Sequence, residues 1–443
     1  MRKLFSRVDS FLQRYMPDPF VVAVLLTLAS LVWATLATPP VDADRSKIAS
    51  QIILYWGDGF WELAKFTLQM AMILLGGYVV AVSRPVKSLI GVLIGFVETP
   101  VQAVVFCTLI SALASWINWG FGLVIGAIVA IEVGKKVSTV PFRLLVASSY
   151  SGFLVWHAGL SGSIPLAMNT AGGLSEDLVG GLVPLSSTTF SNFNWIALGA
   201  ILILLPVVNL ISLKLVGDEE NSPLILQEQT IAKPEVSEPW INRSMFVTLC
   251  LFALAAFYLY SLQTTEGRQF KLDLNSINFV FFMLGMLLHG TPRNFIDAIT
   301  EATPKIAPIL IQYPLYAGIM AILRDSGLAE LISQWFVDNS TAATFPLMTF
   351  YSAGLLNLLV PSGGGQWAVQ APIVIDAATQ LDVSIPKVAM AVAWGDAWTN
   401  MLQPFWAVPL LTIAGLSIKD IIGFCLLVLI SSGLVLSGLF LLL

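Results

Sequence analysis

Long apolar runs recur along the chain, and each has the length of a helix that crosses a membrane. A helix of about 20 residues spans the roughly 30 Å hydrocarbon core of a bilayer, and the runs 20–37 and 195–212 contain no charged residue. A transmembrane β-barrel would show shorter, alternating segments instead. The pattern predicts an all-α integral membrane protein with about nine full spans: 20–37, 62–83, 142–170, 189–212, 245–262, 276–290, 304–324, 386–414 and 420–442.

Two further apolar segments, about 100–136 and 345–380, are long enough to enter the membrane and turn back. The middle of each segment holds a polar, glycine-rich tip, at 118–122 in the first and at 361–365 in the second. Irregular backbone at membrane depth is tolerated only where it is buried in protein or lines a water-filled cavity. We therefore predict two re-entrant hairpins.

The two parts of the chain resemble each other at a nearly constant offset of 243 to 245 residues. The matches are Leu68-Gln69 with Ile311-Gln312, Val140-Pro141 with Ile385-Pro386, and Ile164-Pro165-Leu166 with Val408-Pro409-Leu410. A hydrophilic cytoplasmic linker, 214–244, and one extra helix, 245–262, separate the first part, 1–213, from the second, 263–443. One extra helix starts the second part from the opposite membrane face. We therefore predict an inverted repeat, the architecture of many alternating-access transporters.

Composition agrees with a membrane protein and limits the other functions. The chain is 57% hydrophobic and only 11% charged, whereas soluble domains have about 25% charged residues. Two histidines and three scattered cysteines, Cys107, Cys250 and Cys425, form no metal-binding or disulfide pattern. We expect no resident cofactor and no nucleic-acid partner, and the lipid bilayer is the surrounding partner.

The distribution of basic residues predicts the orientation in the membrane. Most of the 22 Lys and Arg residues fall on one side of the predicted spans, including Arg2, Lys3, Arg7 and Arg14. Cytoplasmic loops carry an excess of Lys and Arg. The N-terminus is therefore predicted to be cytoplasmic and the C-terminus external.

Each predicted half contains two helix breaks. Besides the two hairpin tips, the helices over 142–170 and 386–414 are interrupted at 158–163 and 399–404. In an inverted repeat, four breaks in mid-segment converge near the bilayer midplane. Each break frees the N-terminus of the half-helix that follows, and its N–H groups and partial positive charge attract an anion. No Lys or Arg lies within the breaks, so dipoles and neutral hydrogen bonds are predicted to hold a small carboxylate.

The predicted substrate-binding residues are the glycines and small polar residues of these breaks. They are Asn118, Gly120, Gly122, Ser161, Gly162, Ser163, Ser362, Gly363, Gly364, Gly365, Thr399, Asn400 and Gln403. Trp119, Trp367 and Trp406 are predicted to form an apolar wall for the same ligand. The alternative is that the glycines only permit close helix packing, as small residues often do in membranes.

Asp396 and His157 are the candidates for coupling transport to an ion. Asp396 lies within an apolar helix, and an intramembrane carboxylate is costly and usually functional. The expected coupling ion is H⁺ or Na⁺, with Na⁺ placed near Asn118 and Asn400, and no other metal is expected. A structural hydrogen bond is the alternative role for each of the two candidates.

An enzymatic function is the main alternative of another class. Gly159-Leu160-Ser161-Gly162 fits the GxSG motif of rhomboid intramembrane serine proteases, and His289 could serve as the base. Motifs this short arise often by chance in membrane chains rich in Gly and Ser. A hydrolase would also have no need of a second half with its own breaks, so we do not expect an enzyme.

Several sequence blocks resemble those of the bacterial short-chain fatty acid transporter family, from one end of the chain to the other. The blocks are Pro17-Asp18-Pro19, Trp56-Gly57-Asp58-Gly59-Phe60-Trp61, Pro85-Val86-Lys87-Ser88-Leu89, Ile117-Asn118-Trp119-Gly120-Phe121-Gly122, Ser161-Gly162-Ser163, Val360-Pro361-Ser362-Gly363-Gly364-Gly365 and Asn400-Met401-Leu402-Gln403-Pro404-Phe405-Trp406. No block of the family is missing from the chain. Together the blocks are specific for this family.

The resemblance implies uptake of short-chain fatty acids such as acetoacetate or butyrate across the bacterial inner membrane, with a periplasmic C-terminus. A carrier of another small organic anion, such as a dicarboxylate, and a passive channel are the alternatives. The family is similar to the broad ion-transporter superfamily, whose dicarboxylate carriers have paired hairpins. This wider resemblance implies elevator-type alternating access and a homodimer. It assigns no binding residues, so the predicted site rests on the helix breaks.

Overall fold

The computed structural model describes residues 19–37, 45–172, 175–216, 239–265, 270–358 and 362–443. Within these ranges the regular secondary structure is helical, with no strand, as the all-α prediction requires. Most of the predicted linker 214–244 lies outside the described residues. So does Pro361 of the second hairpin tip.

The described residues before the linker form ten α-helices. They are α1 (Pro19–Ala37), α2 (Arg45–Gly59), α3 (Ala64–Val82), α4 (Arg84–Ile94), α5 (Pro100–Ile117), α6 (Trp119–Lys136), α7 (Phe142–Ser151), α8 (Ser163–Met168), α9 (Glu176–Val179) and α10 (Asn192–Val216). A 3₁₀ helix, Gly152–Ala158, continues α7, and a shorter one covers Leu185–Ser187.

The described residues after the linker form ten more α-helices. They are α11 (Met245–Thr264), α12 (Leu274–His289), α13 (Pro292–Ala302), α14 (Ala307–Asp325), α15 (Leu328–Asn339), α16 (Phe345–Asn357), α17 (Gly363–Gln380), α18 (Ile385–Thr399), α19 (Pro404–Ala414) and α20 (Ile418–Leu442). Short 3₁₀ helices cover Trp240–Arg243, Thr303–Ile306 and Asn400–Leu402.

Six helical stretches of the described chain are long and apolar enough to cross a membrane. They are Ala64–Val82, Pro100–Ile117, Asn192–Val216, Met245–Thr264, Pro292–Asp325 and Ile418–Leu442. Two shorter apolar helices, Ala23–Ala37 and Leu274–His289, accompany them. A helix rises about 1.5 Å per residue, so stretches of this length match the hydrocarbon core. The protein is therefore a multi-pass membrane protein.

Burial distinguishes the interior helices from those at the lipid surface. In α3, 78% of the apolar stretch is buried, whereas in α11 only 11% is buried. Phe246, Leu254 and Phe257 of α11 expose most of their surface. Apolar side chains in that position face acyl chains, which places α11 at the periphery. The interior helix α3 packs on α6, α12 and α14 and so connects the two parts of the chain.

Each segment predicted to be a hairpin forms two consecutive helices that pack on each other. The first consists of α5 and α6, which meet at Asn118, and its bounds match the predicted 100–136. Thr99 starts α5 with a capping box and Pro100 occupies its first turn, a position where the missing N–H of proline costs nothing. The second hairpin consists of α16 and α17. The depth at which either hairpin turns in the membrane remains a prediction.

Both predicted broken helices are interrupted near the expected positions. In the first, α7 tightens into the 3₁₀ helix Gly152–Ala158, and α8 begins anew at Ser163. In the second, α18 ends in the 3₁₀ helix Asn400–Leu402, and α19 follows. Pro165 and Pro404 lie in the first turns after the breaks, where proline is compatible with a new helix but not with continuation of the old one.

Five short helices of the described residues were not predicted. They are α2, α4, α9, α13 and α15, and each carries charged residues that interrupt the apolar run. A search for runs of about 20 apolar residues does not detect such amphipathic helices. Arg84 and Lys87 in α4 and Arg293 and Asp297 in α13 illustrate the pattern.

The order of helices in the second part repeats the order in the first. Helices α3 and α14 begin at Ala64 and Ala307, and α5 and α16 begin at Pro100 and Phe345. Helices α6 and α17, and α7 and α18, follow with offsets in the same narrow range. The similarity of order agrees with a duplicated architecture. The opposite orientation of the two parts remains a prediction.

Candidate functional site

A small cavity lies where the helix breaks of both halves approach each other. Its walls come from both hairpin tips and from the segments that follow the breaks in the two broken helices. The other contributions come from α3, α14 and the 3₁₀ helix that continues α7. The lining residues are Met70, Trp119, Trp156, Ser163, Ile309, Gln312, Tyr313, Ser362, Gly363 and Trp406. No Lys, Arg, Asp or Glu is among them.

The tip of the first hairpin is bound to the break of the first broken helix. Asn118 caps α6 by accepting a hydrogen bond from the backbone N–H of Phe121 at 2.9 Å. The backbone N–H of Trp119 donates to Oγ of Ser161 at 2.9 Å, and that of Leu160 donates to the carbonyl of Trp116 at 2.7 Å. These hydrogen bonds pair the polar backbone groups of the irregular segments. Lipid could not provide hydrogen-bond partners for these groups.

The tip of the second hairpin is held by a tyrosine of α14. Ser362 caps α17 through a hydrogen bond from the N–H of Gly365 at 3.3 Å. Its hydroxyl also donates to the phenolic oxygen of Tyr313 at 2.6 Å. Both residues line the cavity, so the cap of α17 and the wall of α14 form one hydrogen-bonded unit.

Gly363 brings the second tip into direct contact with the first half. A Cβ added to Gly363 would lie 2.6 Å from Cε1 of His157 and 2.7 Å from Cη2 of Trp156. Any side chain here would therefore push the tip away from these rings. The glycine is required by this close approach.

His157 and Asp396 form a buried pair that connects the two halves. Nδ1 of His157 lies 3.0 Å from Oδ2 of Asp396, and both side chains are 0% exposed. Nε2 of His157 accepts a hydrogen bond from the N–H of Ile164, at the start of α8, at 3.2 Å. A neutral imidazole carries one proton, so this geometry places it on Nδ1, where it is donated to Asp396. The other carboxylate oxygen, Oδ1, has no hydrogen-bond partner among the described residues.

Asn357, at the end of α16, organises the break of the second broken helix. Its amide nitrogen contacts the carbonyl of Asp396 at 2.8 Å, Oγ1 of Thr399 at 2.9 Å and Oδ1 of Asn400 at 2.8 Å. Its own carbonyl accepts a hydrogen bond from Gln403 at 2.5 Å. One side chain therefore fixes most of the polar groups of this break.

The structure places the predicted site residues in two groups. The cavity lining includes Trp119, Ser163, Ser362, Gly363 and Trp406. The remaining predicted binding residues are not in that lining and instead support the breaks: Asn118, Gly120, Gly122, Ser161, Gly162, Gly364, Gly365, Thr399, Asn400 and Gln403. Trp367 also lies outside the lining, and its indole N–H donates to Oγ of Ser175 at 2.7 Å.

Sequence reasoning missed several residues of the site. Trp156, Tyr313 and Gln312 line the cavity, and Tyr150 donates to the carbonyl of Asn400 at 2.6 Å. Gln312 was noticed only as a marker of the repeat. Nothing in the local sequence separates Trp156 from a tryptophan that packs in the core.

The expected sodium positions have their side-chain oxygens engaged in hydrogen bonds. Oδ1 of Asn118 accepts from Phe121, and Oδ1 of Asn400 accepts from Asn357. The amide nitrogens of both residues have no partner within the described chain, and an N–H group repels a cation. The described ranges hold no group of three or more His, Cys, Asp or Glu residues suited to a metal ion.

The residues of the protease motif have separate hydrogen-bond partners. Oγ of Ser161 accepts from the backbone of Trp119. His289 Nε2 lies 2.9 Å from the carbonyl of Val79. A general base must be within hydrogen-bond reach of its nucleophile, and the hydrogen bonds of these residues give the protease reading no support.

We predict that Asn357→Ala lowers the free energy of unfolding by about 1–3 kcal/mol, because buried polar groups lose their hydrogen-bond partner. The measurement is the apparent melting temperature of the purified protein in detergent. Asn339→Ala is the matched control, because Asn339 is exposed and bonds only the carbonyl of Trp335 in its own helix. Equal melting temperatures for the two variants would contradict the role assigned to Asn357.

The sequence is similar to one family of known proteins along its whole length. A family model described as short chain fatty acid transporter matches residues 1–443. A protein of Escherichia coli (strain K12) is 40% identical over 431 residues, 96% of this chain and 96% of the relative. A protein of Haemophilus influenzae (strain ATCC 51907 / DSM 11121 / KW20 / Rd) is 37% identical over 445 residues, 96% of this chain and 97% of the relative. The names of both relatives propose short-chain fatty acid transport.

A solved structure has a similar overall fold. It is the crystal structure of the Alcanivorax borkumensis YdaH transporter, whose title describes an unusual topology. The TM-score is 0.59 at 17% sequence identity, and the match covers 95% of this chain and 98% of that chain. At this identity the similarity concerns the fold alone.

Proposed function

The chain belongs to the short-chain fatty acid transporter family, as its sequence blocks predicted, and we propose that it is a secondary active transporter of short-chain monocarboxylates such as butyrate or acetoacetate. Family membership and the fold both support transport across a membrane. The choice of a monocarboxylate rests on the family and on the chemistry of the cavity.

One observation carries the proposal: residues of three helix breaks, and of the helix that follows the fourth break, line a single cavity. Trp119, Ser163 and Gly363 each belong to one break, and Trp406 lies in the first turn of α19, directly after the fourth. Hydroxyl groups and aromatic rings dominate this lining, and it contains no basic residue. Such a site holds an anion without a full counter-charge, so the anion can also leave.

The mixed polarity of the cavity lining favours a short acid. Met70, Ile309 and the tryptophans offer apolar surface to a short alkyl chain. Burial of each CH₂ contributes only about 0.8 kcal/mol. A tail of two or three carbons therefore adds modest affinity, which suits a carrier that must release its substrate.

We infer further that transport is coupled to a proton taken up at the His157–Asp396 pair. The pair is fully buried, connects both halves and lies beside the second hairpin tip. Oδ1 of Asp396 lacks a partner and is therefore the position where a proton can bind. A proton carried together with a monocarboxylate makes the transported unit electrically neutral. Sodium coupling near Asn118 and Asn400 is the alternative.

The mechanism we propose is elevator-type alternating access by an inverted repeat. The repeated helix order and the connection of the halves through the site support it. The location we propose is the bacterial inner membrane, with a cytoplasmic N-terminus and a periplasmic C-terminus, supported by the distribution of Lys and Arg. A homodimer is part of the same proposal, as is the absence of enzymatic activity.

A substrate screen in proteoliposomes tests the proposed function. Exchange of radiolabelled butyrate should be saturable and inhibited by acetoacetate, but not by succinate or by the neutral amide butyramide. Liposomes without protein provide the blank, because the undissociated acid crosses the bilayer unaided. Inhibition by succinate instead would identify a dicarboxylate carrier, and flux that never saturates would identify a channel.

We predict that Ser362→Ala lowers the rate of butyrate exchange by about threefold to tenfold, the effect of losing one hydrogen bond of about 0.5–1.5 kcal/mol. The lost bond joins the second hairpin tip to Tyr313. Ser431→Ala is the matched control, because the Ser431 hydroxyl bonds only carbonyls of its own helix α20. Equal rates for both variants would contradict the assignment of Ser362 to the site.

A further inference from the structure

Two indole N–H groups of the cavity have no hydrogen-bond partner. Trp119 and Trp156 both line the cavity and are almost completely buried, with 3% and 1% of their surfaces exposed. The Nε1 atom of each has no partner among the described residues. An indole N–H is a donor only, and buried donors are nearly always satisfied in native proteins. These two donors therefore require an acceptor.

Three other indoles of the described residues have acceptors, whereas those of Trp56 and Trp116, which lie outside the cavity lining, have none. Trp394 donates to Oδ1 of Asn194 at 3.0 Å, and Trp398 donates to the carbonyl of Leu429 at 2.7 Å. Trp367 donates to Ser175. Trp119 and Trp156 are therefore distinguished by combining an indole N–H without a partner with a place in the cavity lining.

Ring packing holds Trp156 and Trp119 in place. Trp156 stacks on His157 at a centroid distance of 3.9 Å and on Phe153 at 5.7 Å. Trp119 meets Trp156 at 6.2 Å and Trp406 at 5.3 Å, both edge to face. Rings packed on several sides lose little further freedom when a ligand binds, so the donors are preorganised.

The remaining polar side chains of the cavity lining are three hydroxyls and the amide of Gln312, whose oxygen accepts a hydrogen bond from Tyr316 at 3.3 Å. Oγ of Ser163 contacts only the sulfur of Met70, at 3.5 Å, and sulfur is a weak acceptor. Ser362 and Tyr313 bond each other. The cavity therefore offers several donors and neither a carboxylate nor a cation in its lining, which is the complement of a ligand that only accepts hydrogen bonds.

We propose that the indole N–H groups of Trp119 and Trp156 hold the two carboxylate oxygens of the substrate. The inference rests on the proposed transport of monocarboxylates and replaces the apolar-wall role expected for Trp119 with a polar one. An ionised carboxylate accepts hydrogen bonds only, so it matches two donors that lack acceptors. The amide of the same acid carries donors of its own and is excluded.

The test compares two tryptophans of the cavity lining with one tryptophan outside it. Trp119→Phe and Trp156→Phe remove a donor in the cavity. Trp116→Phe removes a buried indole N–H without a partner on a half-buried side chain that lies outside the cavity lining. The probe is radiolabelled butyrate in proteoliposomes. We expect the KM for butyrate to rise about tenfold to 100-fold in each cavity variant, as for loss of a hydrogen bond to a charged group, and to stay at the wild-type value in Trp116→Phe.

Replacement of the Trp156 indole by the isosteric benzothienyl ring keeps the shape of the side chain and removes only the N–H donor. This variant tests the proposal even if the Phe variants fold poorly. The same rise in KM supports the proposal. A wild-type KM in the benzothienyl protein overturns it, as does an equal rise in Trp116→Phe. Failure of the wild-type protein to exchange butyrate would instead overturn the proposed function, so the two failures are distinguishable.

Discussion

Asp396→Asn is expected to abolish the accumulation of butyrate driven by a pH gradient, while exchange of butyrate across the membrane continues. Asn has nearly the shape of Asp, and its side-chain oxygen can still accept the hydrogen bond from Nδ1 of His157. It cannot take up a proton at the position of Oδ1. In exchange, the carrier returns across the membrane in its loaded form, so the proton need not be released. Accumulation requires release of the proton on the inner side.

The measurement uses proteoliposomes with an acidic outside and a more basic inside. Accumulation of butyrate above the blank of protein-free liposomes should fall to zero in Asp396→Asn, and exchange at equal pH should remain measurable. Asp338→Asn is the matched control, because Asp338 is exposed and bonds Gln334 in its own helix. Full accumulation in the Asp396 variant would exclude this residue as the proton site.

Gly363→Ala is expected to reduce butyrate exchange by roughly tenfold to 100-fold, because overpacking of this kind typically costs about 1–3 kcal/mol. The new methyl group would lie 2.6 Å from His157 and 2.7 Å from Trp156. Both rings are completely buried and Trp156 is stacked on His157, so neither can move aside without disturbing the pair with Asp396. The second hairpin tip must then withdraw from the cavity.

Gly438→Ala controls for the substitution itself. Gly438 lies in α20, and a Cβ there would meet nothing within 4 Å, so exchange should match that of the wild type. Replacing a helical glycine by alanine in open space stabilises a helix by about 0.5–1 kcal/mol. The two variants are compared at equal amounts of folded protein, determined by size-exclusion chromatography. Wild-type exchange in Gly363→Ala would show that the close contact of the tip has no role in transport.

The two predictions address different parts of one unit. Gly363 belongs to the second hairpin, His157 and Trp156 to the first broken helix, and Asp396 to the second broken helix. A change at the hairpin tip therefore reaches the proposed proton site through direct contact. This proximity offers a physical link between substrate binding in the cavity and the state of the His157–Asp396 pair.

The positions of the helices and of their interruptions could be predicted because their causes are local. Runs of apolar residues set the membrane helices, and Asn118, Ser362 and the prolines after the breaks set where helices stop and restart. The two hairpins and two broken helices follow from these signals. Amphipathic helices such as α4 were not predicted, because their charged residues interrupt the apolar runs on which the prediction depends.

The partners within the site could not be predicted from local signals. Sequence analysis selected His157 and Asp396 separately, and only the fold shows that they pair across 239 residues. Likewise, Trp119 and Trp367 were assigned the same role from similar surroundings in the sequence. In the structure, one lines the cavity with its N–H unpartnered, while the other is bonded to Ser175.

The sequence by itself determined the membrane class, the places where the long apolar helices break, and the family. These depend on hydrophobicity, capping and backbone restriction, which act over a few residues. Only the tertiary structure decided which break residues face the cavity, which of them support the breaks, and that Asn357 joins Asp396, Thr399 and Asn400. Such choices depend on the packing of distant helices, because a buried polar group takes its role from the partner that the fold brings within hydrogen-bond distance.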